Sequence, residues 1–259
     1  MTTRAIHLEG GFNVRDLGGY QSRDGRTVKW GKLFRSGHLA HLTPGDIDTL
    51  AQKQISQIHD FRGKKEQSKM PSKPVPAQHF DQYHILSGSM PLYRKLIERG
   101  ELNTDTAHQT FVNIYKKFAH EVATPFCKMF PLLIKNSGQA SLFHCSAGKD
   151  RTGIAAALIL SALDVPRDTI IEDYLLTAQY MDTESALDMI EDFLGVNSEN
   201  TEQVERDWLV PIVSVHEDFI GSFFTSLEND YGSVDSYLNK ALALSPADIQ
   251  TMRDLFLEN

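Results

Sequence analysis

Residues 141–153 read SLFHCSAGKDRTG, and they decide how the chain folds around them. The apolar run at 140–143 predicts a short buried strand that ends at His144. Residues 153–163 (GIAAALILSAL) predict a strongly apolar helix that begins at about Arg151. The intervening residues therefore form a loop between the end of a strand and the N-terminus of a helix.

Cys145 and Arg151 stand at the two ends of this loop. The first N–H groups of a helix have no helical partner, and the helix dipole favours an anion beside them. The same field favours the thiolate form of Cys145. Arg151 offers a planar fork of donors for two phosphate oxygens, and Gly148 relieves crowding where the loop curls. The segment thus predicts a phosphate-binding loop with Cys145 as nucleophile.

Three further residues are assigned supporting or structural roles. The hydroxyl of Thr152 can donate to the sulfur of Cys145 and so steady the thiolate when it acts as a leaving group. His144 is expected to orient the loop rather than to act as a base, since a thiolate needs none. Cys127 is expected in the core of a predicted helix, and a redox partnership with Cys145 is the less favoured alternative.

The stretch HCSAGKDRTG resembles the signature loop of the protein tyrosine phosphatase superfamily. Lys149 and Asp150 before Arg151 are similar to a bacterial subgroup of tyrosine and phosphoinositide phosphatases known from mycobacterial and Listeria pathogens. Lys149 also resembles the lysine of lipid phosphatases whose loop carries AGK, and Asp150 the aspartate of myotubularins. The resemblance implies phosphorylated proteins or phosphoinositides as the substrate.

Segments outside the loop also resemble this bacterial subgroup. Residues 12–20 (FNVRDLGGY) are similar to its N-terminal FRDLGG motif. Residues 33–36 (LFRS) and 60–62 (DFR) match its RS and D-L-R segments, with phenylalanine in place of the usual leucine. Residues 231–238 resemble its C-terminal helical segment, so the resemblance extends from residue 12 to 257. The arginines and aspartate of the first two motifs, Arg15, Asp16 and Arg35, are expected to be structural groups near the site.

The family comparison implies a site and an architecture. Cys145 is the implied nucleophile of a phosphocysteine mechanism. The implied phosphate cradle is Ser146, Ala147, Gly148, Lys149, Asp150 and Arg151. The implied fold is α/β, with a central short sheet flanked by helices and with extra helices that cover the active site. One catalytic domain over residues 1–259 is predicted, with a lid-like helical insertion at 87–136 and a helical flank at 166–259.

Two aspartates are candidates for the general acid that protonates the leaving group. Many tyrosine phosphatases carry this aspartate on a separate loop beside a Trp-Pro turn, but neither Trp30 nor Trp208 has such a context. Asp150 lies beside Arg151 and is favoured. Asp60, at the end of a predicted strand, is the alternative.

The overall composition limits partners and location. The chain has 259 residues with 26 Lys+Arg and 34 Asp+Glu, a net charge of −8 that disfavours nucleic acid as a partner. No apolar run approaches the ~18 residues of a membrane span, and no secretory signal is evident. Two cysteines suit a reducing compartment, so a cytoplasmic location is predicted, with export by an unrecognised route left open. No cofactor is expected, and no residues have metal-ligand spacing.

Other segments carry weaker predictions. Thr43 as N-cap with Pro44 predicts a helix to about Gln54. The four lysines at 64, 65, 69 and 73 are interpreted as a solvated basic loop, with substrate contact as the less favoured alternative.

The sequence thus predicts hydrolysis of phosphate monoesters: phosphotyrosine, with phosphoserine, phosphothreonine and phosphoinositides as further substrates. A sulfurtransferase of the rhodanese type and a non-catalytic phosphate-binding module are the alternatives. The sequence does not indicate the oligomeric state.

Overall fold

The computed structural model describes residues 3–86, 89–196 and 204–259. Residues 87 and 88, at the start of the predicted lid-like insertion, lie outside the described residues. So do residues 197–203, which fall within the predicted helical flank.

Short strands in the first part of the chain alternate with helices, and the last third is almost entirely helical. The strands are β1 (Arg15–Asp16), β2 (Thr27–Val28), β3 (Leu33–Ser36), β4 (Ile55–Asp60), β5 (His79–Gln82), β6 (Ala140–His144) and β7 (Leu257–Glu258). The helices are α1 (Pro44–Ala51), α2 (Lys64–Lys69), α3 (Ser89–Glu98), α4 (Thr104–Glu121), α5 (Ala123–Lys135), α6 (Asp150–Ala162), α7 (Arg167–Leu175), α8 (Thr177–Tyr180), α9 (Thr183–Leu194), α10 (Val210–Val213), α11 (Glu217–Tyr231), α12 (Val234–Lys240) and α13 (Pro246–Phe256).

Five strands form the central sheet in the order β1-β3-β6-β4-β5. The inner strand β6 pairs in parallel with β3 on one side and β4 on the other, and β1 adds an antiparallel edge. All five residues of β6 are buried, as expected for a parallel strand covered on both faces. The α/β class with a central short sheet is therefore confirmed. Loops at the carboxyl edge of such a sheet commonly form binding sites, and the loop after β6 lies there.

Helix α6 follows that loop through the centre of the molecule. Nearly every residue from Arg151 to Ala162 is buried, so the helix is apolar on all sides instead of amphipathic. Helix α7 packs against it, and α4 and α11 pack against each other. The buried helix fixes the position at which the loop ends.

The start of α1 is confirmed in detail. The Thr43 side chain accepts the N–H of Asp46, and the Asp46 carboxylate accepts the N–H of Thr43, which forms a capping box.

The solvated loop predicted around residues 64–73 is wrong in its first half, where α2 forms. The Glu66 carboxylate accepts the N–H of Gly63 at 2.7 Å and so caps this short helix. Lys64 and Lys65 are exposed on it, as the solvated interpretation expected.

A second pairing was not anticipated from the sequence. β2 and β7 form a two-stranded antiparallel sheet, in which Val28 lies opposite Leu257. The last strand of the chain is thereby tied to its first forty residues. Within the described ranges, none of the helices combines the length and apolar character needed to cross a bilayer.

Candidate active site

Cys145 lies at the carboxyl end of β6, and only 2% of its surface is exposed to solvent. The loop that it opens leads directly into α6, whose first residue is Asp150. The thiol and the first turn of α6 are therefore neighbours, in the arrangement that favours an anion at a helix N-terminus.

The backbone of the loop is held from outside by two side chains. Asn13 Nδ2 donates to the carbonyl oxygens of Ala147 at 3.1 Å and Gly148 at 2.9 Å. Arg35 Nη2 donates to the same Gly148 oxygen at 2.9 Å. Because the N–H and C=O of a trans peptide point in opposite directions, drawing these carbonyls outward turns the following N–H groups the other way. Such a loop can surround an anion with N–H donors.

Gly148 meets two requirements at once. Its φ of +68° lies in the left-handed region, and a Cβ there would come within 2.5 Å of the Ser36 carbonyl oxygen and 2.6 Å of the Gly37 nitrogen. Any side chain would therefore push the loop away from β3.

Asp173 on α7 anchors the arginines that hold the loop. Its carboxylate binds Arg15 Nε at 3.2 Å and Arg35 Nη1 at 2.6 Å, and it accepts the Tyr20 hydroxyl at 3.0 Å. Both arginines are fully buried, which confirms their predicted structural role. Asp16 is structural as well and accepts the N–H groups of two glycines.

Acid titration tests this anchor. Burial alone would raise the pKa of Asp173, but Arg15 and Arg35 outweigh burial and lower that pKa from 3.8 to about 2. A folded-state pKa below the unfolded one gives stability that is present above pH 3.8 and is lost as the pH falls towards 2. We therefore expect Asp173→Asn to lose roughly 2 kcal/mol of unfolding free energy at pH 7.

Urea unfolding at pH 7 and at pH 3 measures this difference. It should shrink at the lower pH, because the carboxylate of the unfolded chain is then mostly protonated while that of the folded protein is still ionised. Asp192→Asn, on the exposed face of α9, serves as control and should change stability little at either pH. A pH-independent difference for Asp173→Asn would show that the carboxylate's charge is not what stabilises the anchor.

Arg151 is held in place by Glu66, which the sequence analysis did not single out. Arg151 Nη1 donates to Glu66 Oε2 and Nη2 donates to Oε1, both at 2.8 Å, and the Ser146 hydroxyl donates to the same carboxylate. Nη1 also donates to the Ile85 carbonyl oxygen at 2.8 Å. Burial alone would raise the pKa of Glu66, but Arg151 and Ser146 outweigh it and lower that pKa to about 2. Glu66 is therefore ionised at neutral pH.

The edge of the Arg151 guanidinium formed by Nε and Nη2 is buried and has donors that the protein does not use. Among the described residues, its Nε has no hydrogen-bond partner, and Nη2 bonds only to Glu66. A guanidinium carries one hydrogen on Nε and two on each Nη, so Nε and Nη2 still present a pair of donors. A pair of this kind binds two oxygens of a phosphate side by side.

Lys149 points into the protein. Its ammonium is fully buried, donates to the carbonyl oxygens of Ser214 at 2.8 Å and Pro211 at 3.1 Å, and lies 4.3 Å from the centre of the Phe111 ring. Burial lowers the pKa of Lys149, and Asp150 at 3.3 Å opposes that shift. In this structure the lysine connects the loop to the segment before α11.

Asp150 is placed by a pair of buried tyrosines. The Tyr115 hydroxyl donates to Asp150 Oδ1 at 2.7 Å, and the Tyr115 and Tyr174 hydroxyls lie 2.7 Å apart. The Asp150 side chain remains 18% exposed. One carboxylate of the loop is thus both oriented by the protein and reachable from solvent.

Asp60 has a different environment. It is fully buried, and its two oxygens accept Arg62 Nε at 3.0 Å and Nη2 at 2.8 Å. Oδ1 also accepts the Arg62 backbone N–H at 2.9 Å. The carboxylate therefore acts in this structure as the partner of Arg62.

His144 and Thr152 are both fully buried beside the loop. His144 Nδ1 lies 3.2 Å from the Cys145 carbonyl oxygen, and burial lowers the pKa of His144 to about 4, so the ring is neutral. The Thr152 hydroxyl has no hydrogen-bond partner within the described residues. Cys127 is half-buried on α5 and, like Cys145, is a free thiol.

Two of the site residues that the sequence analysis did not single out could have been found from sequence patterns. Glu66 comes three positions after Gly63, the spacing of a capping box. Asp173 shares a face of α7 with Ile170 and Tyr174, so a charge falls on an apolar stripe. Tyr115 left no such sign, because a tyrosine at helical spacing with other aromatics is typical of a core.

The family pattern and the relatives that match this chain are all named as protein phosphatases. The pattern of the tyrosine phosphatase family matches residues 6–258. A relative from Cupriavidus necator, provisionally named a tyrosine-protein phosphatase, is 31% identical over 92% of this chain and 84% of its own. The triple specificity protein phosphatase PtpB of Mycobacterium tuberculosis is 24% identical over 96% of this chain and 98% of its own. A tyrosine-protein phosphatase of Nostoc commune is 26% identical over 85% of this chain and 72% of its own.

The family match covers nearly the whole chain and includes the strand, loop and helix that hold Cys145 and Arg151. The chain belongs to the tyrosine phosphatase family.

Proposed function

We propose that this phosphatase hydrolyses phosphate monoesters through a phosphocysteine intermediate on Cys145. The observation that carries the proposal is the placement of Cys145 at the carboxyl end of β6, facing the N-terminus of the helix that bears Arg151. Asn13 and Arg35 draw the loop's carbonyls outward, which supports a ring of N–H donors around a phosphate.

In the first step, the Cys145 sulfur attacks phosphorus, the sulfur–phosphorus bond forms and the phosphorus–oxygen bond to the leaving group breaks. Asp150 gives its proton to the departing oxygen. Arg151 binds two non-bridging oxygens of the transferred phosphoryl group through Nε and Nη2 while Glu66 holds the other side of its guanidinium.

In the second step, water attacks the phosphocysteine and passes a proton to the Asp150 carboxylate. The sulfur–phosphorus bond breaks, inorganic phosphate forms and Cys145 leaves as a thiolate. The Thr152 hydroxyl, which bonds to no group among the described residues, Cys145 included, would donate to that sulfur as it leaves. The step regenerates the enzyme with no cofactor.

For the substrate we propose phosphotyrosine first, with phosphoserine, phosphothreonine and phosphoinositides as further candidates. The name of the Mycobacterium tuberculosis relative supports a range wider than phosphotyrosine. Lys149 gives little support to phosphoinositides, because its ammonium is buried against protein carbonyls. Exposed cations on α2, Lys64 and Lys65, are better placed to meet additional phosphates.

We further propose that the chain acts as one catalytic domain in which the helices of the 87–136 insertion cover the site. Tyr115 of α4 already contacts Asp150, which supports a lid-like role. A cytoplasmic location is proposed from the two free cysteines.

Product analysis separates this function from its two alternatives. Purified protein should release phosphate from p-nitrophenyl phosphate and form no thiocyanate from thiosulfate and cyanide. Thiocyanate formation would indicate a sulfurtransferase, and binding of phosphate without turnover would indicate a binding module. A panel of phosphotyrosine, phosphoserine and phosphoinositide substrates then ranks the substrate classes.

Leaving-group dependence tests Asp150 as the general acid. Asp150→Asn should slow hydrolysis of phosphoserine far more than that of p-nitrophenyl phosphate, because a good leaving group hardly needs a proton. We expect a loss of about 10²-fold or more on the poor leaving group and flattening of one limb of the pH–rate profile.

Asp60→Asn is the matched comparison. It should lower both rates alike, together with thermal stability, because it breaks a buried pair with Arg62. The opposite assignment is required if Asp60→Asn shows the leaving-group dependence and Asp150→Asn does not.

A further inference from the structure

His108 of α4, together with His216 and Asp218 at the start of α11, forms a cluster that the proposed mechanism does not use. His108 Nε2 lies 3.0 Å from Asp218 Oδ2, and His216 Nδ1 lies 3.3 Å from the same oxygen. One potential ligand atom from each of the three residues can be chosen so that all lie within 4.8 Å of one another. His108 lies more than a hundred positions before the other two residues, so the spacing along the chain gave no metal signal.

We propose that these three side chains bind a divalent transition-metal cation, with Zn²⁺ as the best match. Zinc takes imidazole nitrogens and carboxylate oxygens at about 2.0–2.2 Å in tetrahedral geometry, which places neighbouring ligand atoms about 3.3 Å apart. The two separations to Asp218 Oδ2 fall close to this value. Three protein ligands leave the fourth position to water. The site is independent of the proposed phosphatase chemistry.

The imidazole rings are already held close together. The His108 ring packs edge-on against the His216 ring at 4.8 Å, and both lie against Phe219 at 5.0 and 5.8 Å. The packing of the rings lowers the entropy lost when a metal orders its ligands. The Asp218 N–H donates to His216 Nδ1 at 3.1 Å at the helix N-cap, and a metal bound to this nitrogen would replace that hydrogen bond. The Asp218 side chain is 60% exposed, so an ion can reach it from solvent.

The position of the cluster gives the ion a structural consequence. His216 comes two residues after Ser214, whose carbonyl oxygen accepts the ammonium of Lys149. Phe219 lies against the ring of Tyr115, which donates to Asp150. A metal shared by α4 and α11 would therefore fasten together the two helices that surround these loop residues.

The same two helices provide an internal control. His120 of α4 and Asp230 of α11 also pair, with Nε2 and Oδ2 3.0 Å apart, and both side chains are exposed. Within the described residues, no third ligand completes this pair into a candidate site. It therefore reproduces the histidine–aspartate contact without the predicted metal geometry.

Zinc binding to the full-length chain tests the proposal by isothermal titration calorimetry, in a Cys145→Ser background that removes the active-site thiolate as a competing ligand. We expect one Zn²⁺ per chain, no comparable binding of Mg²⁺, and a rise in the thermal unfolding midpoint with Zn²⁺. Asp218→Asn and His108→Gln should each weaken Zn²⁺ binding at least tenfold and abolish the rise. His120→Gln should change neither measurement.

Unchanged Zn²⁺ affinity in Asp218→Asn would overturn the site, as would an equal loss in His120→Gln. Absence of Zn²⁺ binding in the background protein would overturn it as well. Because Asp218 is an exposed side chain, its amide variant is expected to fold, which keeps the test decisive if His108→Gln does not. His216→Ser adds a third variant that retains an N-cap acceptor for α11 and should also weaken binding.

Discussion

Cys145→Ser is expected to lower the turnover of p-nitrophenyl phosphate by at least about 10³-fold, because a serine hydroxyl is not ionised at neutral pH. The fold should be retained, since the substitution exchanges sulfur for oxygen in a buried side chain of similar size. Steady-state rates with a thermal unfolding curve for each variant measure both effects. Cys127→Ser is the matched control and should keep nearly full activity. Activity of Cys145→Ser within tenfold of wild type would rule out the phosphocysteine mechanism.

Labelling with iodoacetate provides an independent measurement of the same assignment. The reagent is expected to inactivate the enzyme by alkylating Cys145, with phosphate or vanadate protecting it, since either anion would occupy the loop. Peptide mapping identifies the modified residue. A label found on Cys127, with the same protection, would move the nucleophile to α5 and contradict the site.

Arg151→Lys should lower the same turnover by roughly 10²-fold or more, although the positive charge is kept. Lysine cannot present two parallel donors to a phosphate, and its shorter reach loses the bidentate contact with Glu66. The Ile85 carbonyl oxygen would also lose its donor. Kinetics on p-nitrophenyl phosphate, with inhibition by vanadate measured in parallel, should show weaker binding of the anion.

Glu66→Gln is the informative comparison. The amide oxygen can still accept one hydrogen bond from Arg151, so the loss should be smaller than that of Arg151→Lys. It should appear mainly as weaker substrate and vanadate binding, because Glu66 orients the guanidinium and does not itself contact the phosphate. Near-wild-type kinetics of Arg151→Lys would show that charge alone, and not the paired donors, recognises phosphate.

For Asp150 and Lys149, the sequence motif predicts the backbone position but not the direction of the side chain. Both adjoin Arg151 in the sequence, and both were expected at the phosphate. The backbone around them follows the expected strand, loop and helix, but the direction of each side chain depends on what surrounds it. Lys149 meets carbonyl oxygens of the segment before α11, and Asp150 meets a tyrosine of α4. These partners lie 35 or more residues away along the chain.

The short helix α2 is a second example. Its lysines read as a solvated loop, and they are indeed exposed, but the helix forms because Glu66 both caps it at Gly63 and binds Arg151. The cap was visible as a spacing of three residues. The contact with Arg151 was not, because it joins residues 85 positions apart.

The sequence by itself determined the α/β class, the α1 cap, and the strand, loop and helix that set Cys145 six positions ahead of Arg151. Each of these follows from local periodicity, capping and backbone geometry. Only the tertiary structure decided the partners of the site: Glu66 on Arg151, Asp173 between two arginines, and Tyr115 on Asp150. The physical reason is that burying a charge requires a specific partner, and packing of distant segments, which leaves no local pattern, supplies that partner.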